Sequence, residues 1–228
     1  MKLVIVDDTP DDAMLAQAIL RREGHSVELF HSIRDFKKAV QRDTYDLLFL
    51  DWVMPEATGI EVLQWLKENG PPALPVIMVS AKDNSSDIVT ALDAGADDYV
   101  TKPLDEGVLV ARVRALARRV HTTKTSNRVL VKSIELIPSA EVALVNGEKV
   151  ELSTMEFRLA LMLLDNLGRP LSRTYLLETI WGRNREVVTR TLDVHVSKIR
   201  AKLNLHPENG FRLYNIYGYG YRLGLIDE

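Results

Sequence analysis

Apolar residues in the first 120 positions fall into short unbroken runs, separated by longer stretches with helical spacing. Leu3-Val4-Ile5-Val6, Val27 to Phe30, Asp46-Leu47-Leu48-Phe49-Leu50, Val76-Ile77-Met78-Val79 and Asp98-Tyr99-Val100 are five such runs. Continuous rather than alternating apolarity suits parallel strands covered on both faces. The intervening stretches predict helices. One opens at Thr9-Pro10-Asp11-Asp12, where Thr9 can cap, Pro10 suits the first turn and the acids favour the positive end of the dipole. Others start at Ser32, cover Ile60–Asn69, run near 84–94 until Gly95, and span about 105–119. Five strand–helix units in this length imply an α/β fold: a flavodoxin-like doubly wound five-stranded parallel sheet with helices on both faces.

The pattern then changes. Val120 to Arg128 is polar and without period, so residues 121–128 read as a linker between a domain at 1–120 and one at 129–228. Val142 to Val150 alternates around Asn146-Gly147, which predicts a hairpin. Ser153-Thr154-Met155-Glu156 is a capping box opening a helix to about Asn166. Ser172 can cap a second helix to Trp181, a third covers roughly 187–203, and a hairpin centred on Gly218-Tyr219-Gly220-Tyr221-Arg222 closes the chain. Three helices closed by a hairpin is an α+β winged-helix plan.

Charge sharpens this division. The 228 residues have a net charge of −3, but residues 1–120 carry 14 Lys/Arg against 20 Asp/Glu, and residues 121–228 carry 15 against 12. The second half alone has the sign that meets a polyanion. No cysteine is present, which excludes disulfides and thiolate metal sites and fits a reducing compartment. No apolar run reaches membrane-spanning length, and the start of the chain lacks a signal-peptide core, so a cytoplasmic protein with no membrane partner is expected.

In such a sheet, ligands bind beyond the carboxyl ends of the strands. The residues there are Asp7 and Asp8, Asp51, Ser80 and Lys102. Taken singly, each would be an ordinary solvated group. Three converging carboxylates repel unless a hard dication such as Mg²⁺ joins them. A hydroxyl and an ammonium beside them suit a phosphoryl group, and an Asp carboxylate can be the nucleophile that accepts it. Val6-Asp7-Asp8, Leu50-Asp51-Trp52-Val53-Met54-Pro55 with Gly59, Val79-Ser80-Ala81, Gly95 to Tyr99 and Lys102-Pro103 resemble a response-regulator receiver domain. The resemblance implies Asp51 as phospho-acceptor, and Mg²⁺ held by Asp7, Asp8, Asp51 and the Val53 carbonyl. It implies Ser80 and Lys102 as phosphoryl contacts, Tyr99 as the aromatic switch, and a cis Lys102-Pro103 bond.

In the third helix of the second half, Leu192, Val196, Ile199 and Leu203 form an apolar stripe. Thr191, His195, Lys198 and Lys202 form a donor stripe beside it, joined by Arg190, Ser197 and Arg200. A helix of this kind can enter a major groove, although a solvated charged face has the same pattern. The segments Leu152–Leu164, Leu171–Gly182, Arg190–Val196, Ile199–Leu203 and Gly218–Arg222 resemble the winged-helix effector of two-component response regulators of the OmpR/PhoB subfamily. The resemblance implies that the third helix reads double-stranded promoter DNA and that the terminal hairpin touches the minor groove. Trp181, Arg190 and Tyr221 would position phosphates, and Thr191, His195, Ser197, Lys198 and Arg200 would contact bases or phosphates. A sensor histidine kinase, a second copy on activation and RNA polymerase are the partners it suggests.

The chain departs from the subfamily pattern in two places, the dimer face and the wing. Asp97, Asp98, Arg112 and Arg118 fall where a dimer face has its ion pairs, but Thr90 and Val108 stand where a basic and an acidic residue are expected. Tyr217 stands where an Arg often enters the minor groove. Two other functions compete. A phosphatase or phosphotransferase would carry a second Asp two residues after the first, where this chain has Val53; no enzyme activity beyond slow self-dephosphorylation is expected. A DNA-binding regulator independent of phosphorylation would have no use for the intact acid pocket.

Overall fold

Hydrogen bonding joins all five predicted strands of the first half in parallel in the computed structural model, which describes residues 1–71, 74–120, 128–182 and 189–226, without the side chains of 119, 120, 189 and 190. Two units are distinct, Met1–Val120 and His121–Glu228. Of the predicted linker, residues 121–127 lie outside the described residues, and Arg128 pairs with Glu135.

In the first unit the order is β1 (Lys2–Val6), α1 (Pro10–Arg22), β2 (Ser26–Phe30), α2 (Ile33–Val40), β3 (Leu47–Asp51), α3 (Gly59–Asn69), β4 (Val76–Ser80), α4 (Ser85–Ala94), β5 (Asp98–Thr101) and α5 (Glu106–Val120). The sheet runs β2-β1-β3-β4-β5. Every residue of β1, β3 and β4 is buried, because helices cover both faces. Val4, Val6, Leu48 and Leu50 pack with Phe36, Val62 and Tyr99 on one side. Leu3, Ile5, Leu47 and Phe49 pack with Leu20, Leu109 and Val113 on the other. Alternation along each strand thus feeds two apolar cores rather than one.

Local rules hold with small differences. Thr9 occupies the N-cap of α1, but its side chain makes no capping bond; instead its N–H donates to Asp7 Oδ1 at 2.8 Å. Asp46, expected in the third strand, precedes β3, and its carboxylate accepts the Lys2 N–H at 2.8 Å. Helix α3 begins at Gly59 behind a Thr58/Glu61 capping box. Gly59 is required there: a Cβ would lie 2.7 Å from the Asp51 carbonyl and 2.9 Å from Met78 Sδ.

The second unit opens with strands that the periodicity does not reveal, β6 (Val129–Val131) and β7 (Ile134–Ile137). They join the predicted hairpin, β8 (Val142–Val145) and β9 (Glu148–Val150), in an antiparallel sheet of order β6-β7-β8-β9. Three helices follow, α6 (Thr154–Asp165), α7 (Arg173–Trp181) and α8 (Thr189–Lys202), with β10 (Leu171–Ser172) between the first two. The hairpin of β11 (Phe211–Ile216) and β12 (Gly220–Leu225) pairs with β10 to complete the winged-helix domain. Gly220 permits that pairing, for a Cβ would meet the Leu171 carbonyl at 2.1 Å. Leu192, Val196, Ile199 and Leu203 are all buried in one core with Phe157, Leu163, Leu176, Phe211 and Leu223.

Glu156 links two of these helices. Its carboxylate accepts the Ser153 N–H at 2.9 Å, closing the predicted capping box, and takes a bond from Lys202 Nζ at 2.8 Å. Burial would raise its pKa, but Lys202 and the Ser153 N–H outweigh that and hold it below the ordinary carboxylate range. A depressed acid contributes stability above its unfolded pKa and loses it as pH falls through the folded one. Glu156→Gln should therefore cost about 1–2 kcal/mol at pH 7 in a denaturant titration. The difference should close when the pH drops below the ordinary carboxylate range.

Candidate functional site

Strand register places the chemical groups. Val6 pairs with Leu50, Asp51 with Val79, and Ser80 with Thr101. Asp7, Asp51, Ser80 and Lys102 are therefore the groups at the carboxyl edge of four adjacent strands, and the order reverses between β1 and β3. The ligand atoms of Asp7, Asp8 and Asp51 lie within 4.8 Å of one another. Asp7 and Asp51 are buried and Asp8 is exposed. An all-oxygen donor set that keeps one side open to water fits a hard cation such as Mg²⁺, which retains part of its hydration.

Lys102 Nζ reaches Asp51 Oδ2 at 2.7 Å, Asp7 Oδ2 at 2.9 Å and Asp12 Oδ2 at 3.0 Å. Burial alone would lower the Lys102 pKa, but its bonds to the three carboxylates raise it above the ordinary value. Asp51 is also shifted upward, by burial and by Asp7, against the lowering effects of Lys102 and the Val53 N–H, which donates to Oδ1 at 3.1 Å. The two shifts have different origins: the carboxylates around Lys102 hold its proton, whereas burial is what chiefly disfavours the charge on Asp51.

Ser80 is buried, and its Oγ accepts the Lys82 N–H at 3.1 Å. Tyr99 is also buried and donates its hydroxyl to the Lys82 carbonyl at 2.8 Å. The sequence reading missed both Asp12 and Lys82. Lys82 Nζ lies 4.4 Å from the centre of the Trp52 ring, which meets Tyr99 edge to face at 6.2 Å. The Lys102-Pro103 bond is cis.

On the expected dimer face, Asp98 pairs with Arg112 of the same chain at 3.2 Å, and Asp97 accepts the Val76 N–H at 2.8 Å. Arg118 is exposed. Thr90 Oγ1 donates to the Ser86 carbonyl, and Val108 is exposed, as are Val89 and Leu92 of α4.

The α8 face is more varied than its sequence stripe suggests. Ser197 and Lys198 are exposed, and Thr191 and His195 are half-buried. His195 Nδ1 lies 2.8 Å from the Thr191 carbonyl, and its ring meets Trp181 edge to face at 5.1 Å. A carbonyl only accepts, so Nδ1 is the donor in this contact. Arg200 donates to the Leu213 carbonyl at 3.2 Å, and Lys202 to Glu156 and to the Glu151 carbonyl; both side chains tie α8 to its own domain. The Arg190 side chain lies outside the described residues. Tyr221 is buried and donates to Asp193 Oδ1 at 2.6 Å, which also accepts from Arg173 at 2.7 Å. Periodicity could not pair Asp193 with residues 20 and 28 positions away. Tyr217 is fully exposed at the hairpin tip.

Residues 3–114 match the family model described as response regulator receiver domain, and residues 147–223 that described as transcriptional regulatory protein, C terminal. The chain is 33% identical over 223 residues to the DNA-binding response regulator MtrA of Mycolicibacterium smegmatis, covering 98% of this chain and 96% of that one. The chain belongs to the DNA-binding response regulators. MtrA of Mycobacterium tuberculosis strain H37Rv gives the same identity and coverage. The solved response regulator DrrB, a Thermotoga maritima OmpR/PhoB homolog, is 26% identical over 99% of both chains, with a TM-score of 0.47. A receiver joined to a winged-helix domain makes this response regulator one of the OmpR/PhoB type, and members of the family regulate transcription under the control of phosphorylation. Among the described residues, no helix is long and apolar enough to cross a membrane.

Proposed function

We propose that this response regulator takes phosphate on Asp51 from a sensor histidine kinase and thereby controls its own dimerisation and its binding to promoter DNA in the cytoplasm. The observation that carries the reading is Lys102 Nζ, 2.7 Å from Asp51 at the edge where the strand order reverses. Asp51 Oδ1 and Oδ2 supply the nucleophile. Lys102 and the Ser80 hydroxyl are the donors for phosphoryl oxygens. Asp7, Asp8, Asp51 and the Val53 carbonyl would hold Mg²⁺, which when bound supplies positive charge to those oxygens.

Ser80 Oγ, which accepts the Lys82 N–H, has its own O–H to offer a phosphoryl oxygen. The carbonyl of the same residue, Lys82, accepts the Tyr99 hydroxyl, so Ser80 and Tyr99 are both tied to one loop residue. Val53, exposed two residues after Asp51, offers no acid for rapid turnover, so the only chemistry we assign is slow loss of the aspartyl phosphate. On the dimer face Val108, which replaces an acidic residue, is exposed, and this supports an apolar contact in place of one ion pair. Since an exposed pair contributes only about 0–1 kcal/mol, the symmetric dimer tolerates the replacement.

The test is selection of bound DNA from random sequence, with and without activation by Mg²⁺ and beryllofluoride, followed by ultracentrifugation. Paired half-sites enriched only on activation, with a dimer bound, are expected. Equal enrichment in both arms would instead support a regulator that ignores its receiver.

At the wing, Tyr217 carries no charge to an adjacent minor groove but offers its whole ring for stacking. Tyr217→Ala should weaken operator binding severalfold and leave the salt slope unchanged, measured by anisotropy over a range of salt. A slope smaller by about one would show that a phosphate contact had been lost.

A further inference from the structure

Asp12 was expected only as a dipole acid in the first turn of α1, yet its carboxylate lies 3.0 Å from Lys102 Nζ. An ammonium has three N–H donors. Here they meet three carboxylates, Asp51 at 2.7 Å, Asp7 at 2.9 Å and Asp12 at 3.0 Å. Lys102 therefore has no donor to spare. The three partners are not equivalent. The side chains of Asp7 and Asp51 are 5% and 8% exposed, whereas that of Asp12 is 38% exposed. A buried carboxylate that loses its cation is left with its desolvation uncompensated. Asp12 can turn to water and to the positive end of its own helix.

We infer that Asp12 is a positioning residue that occupies the third donor of Lys102 until a phosphoryl oxygen takes it over, and so competes with the phosphoryl group for this ammonium. The inference rests on the reading of Asp51 as the acceptor. It adds no bond-making step: one hydrogen bond is exchanged for another, and Asp12 is released to solvent. It also explains why a single Lys suffices at rest and in the modified state. Asp12 keeps the ammonium at the pocket without burying a third carboxylate that would later be stranded.

Calorimetric titration of the full-length protein with beryllofluoride in saturating Mg²⁺ tests this. Asp12→Ala should bind the analogue roughly two- to fivefold more tightly than the wild type, the range expected of a partly exposed ion pair. Asp12→Asn, which keeps an acceptor oxygen without the charge, should fall between the two and also serves if the alanine variant is unstable. Asp11→Ala is the control: Asp11 is the exposed neighbour, removes the same charge and is not bonded to Lys102. It should leave the affinity unchanged. Unaltered or weaker binding in Asp12→Ala overturns the inference. So does an equal gain in Asp11→Ala, which would mean general repulsion rather than competition for a donor. A wild type that fails to bind beryllofluoride at all would refute the assignment of Asp51 itself, and is thereby distinguished from a failure of Asp12 alone.

Discussion

Asp51→Ala should gain no phosphoryl mass from a small phosphodonor in Mg²⁺, under conditions in which the wild type gains one. The effect is all or none because of placement rather than residue type. Asp7, the other buried carboxylate of the pocket, uses Oδ1 to accept the Thr9 N–H and Oδ2 to bind Lys102. Asp8 is exposed and has no Lys102 contact among the described residues. Asp51 has the same two kinds of partner, Lys102 on one oxygen and a backbone N–H on the other, but of the three acids it is the one that ends β3, the central strand of the sheet. That arrangement orients a nucleophile and provides for the charge that develops on the acquired group. The variant should remain folded, since the alanine removes a carboxylate whose ionisation is opposed by burial and by Asp7. Intact-mass spectrometry reads the modification, and an operator-binding assay should find the variant unresponsive to the phosphodonor. A phosphoryl group retained by Asp51→Ala would place the acceptor elsewhere.

Leu192→Ala should destabilise the second unit and weaken operator binding while leaving phosphorylation of the first unit intact. Leu192 is fully buried in the core of the second unit, on the same helix as Thr191, His195 and Lys198. Removing its branched end leaves a cavity and should cost about 2–5 kcal/mol. Against a total of roughly 5–15 kcal/mol for a domain, this is a large share of the stability that holds α8 in place. The measurement pairs a denaturant titration followed by a probe in the second unit with a mass assay of phosphate uptake. A variant that still binds its operator at wild-type affinity would show that α8 is held by other contacts.

How far the site was legible depends on what each residue is tied to. Asp7, Asp51, Ser80 and Lys102 could be found because each directly follows an apolar run, and strand ends are where this architecture concentrates its chemistry. Asp12 could not, because nothing in Pro10-Asp11-Asp12 distinguishes a dipole acid from a Lys102 partner 90 positions away. Lys202 illustrates the opposite difficulty. Its spacing places it with Lys198 in the donor stripe, but a buried acid on α6 takes its charge. Tyr221 and Arg200 likewise have partners within the domain, at Asp193 and the Leu213 carbonyl.

Periodicity and motifs alone were enough to find the five parallel strands of the first half, the helices, the caps at Ser153 and Ser172, and the family. Periodicity, turn residues and strand-end chemistry are local, so a linear string records them. It missed β6 and β7, whose three- and four-residue runs are too short to carry a period. How charges are shared emerges in three dimensions: three carboxylates around one ammonium, a capping glutamate that also holds α8, and a tyrosine hydroxyl committed to Asp193. Such partnerships join residues up to about ninety positions apart, and depend on distances of a few ångströms that folding alone creates.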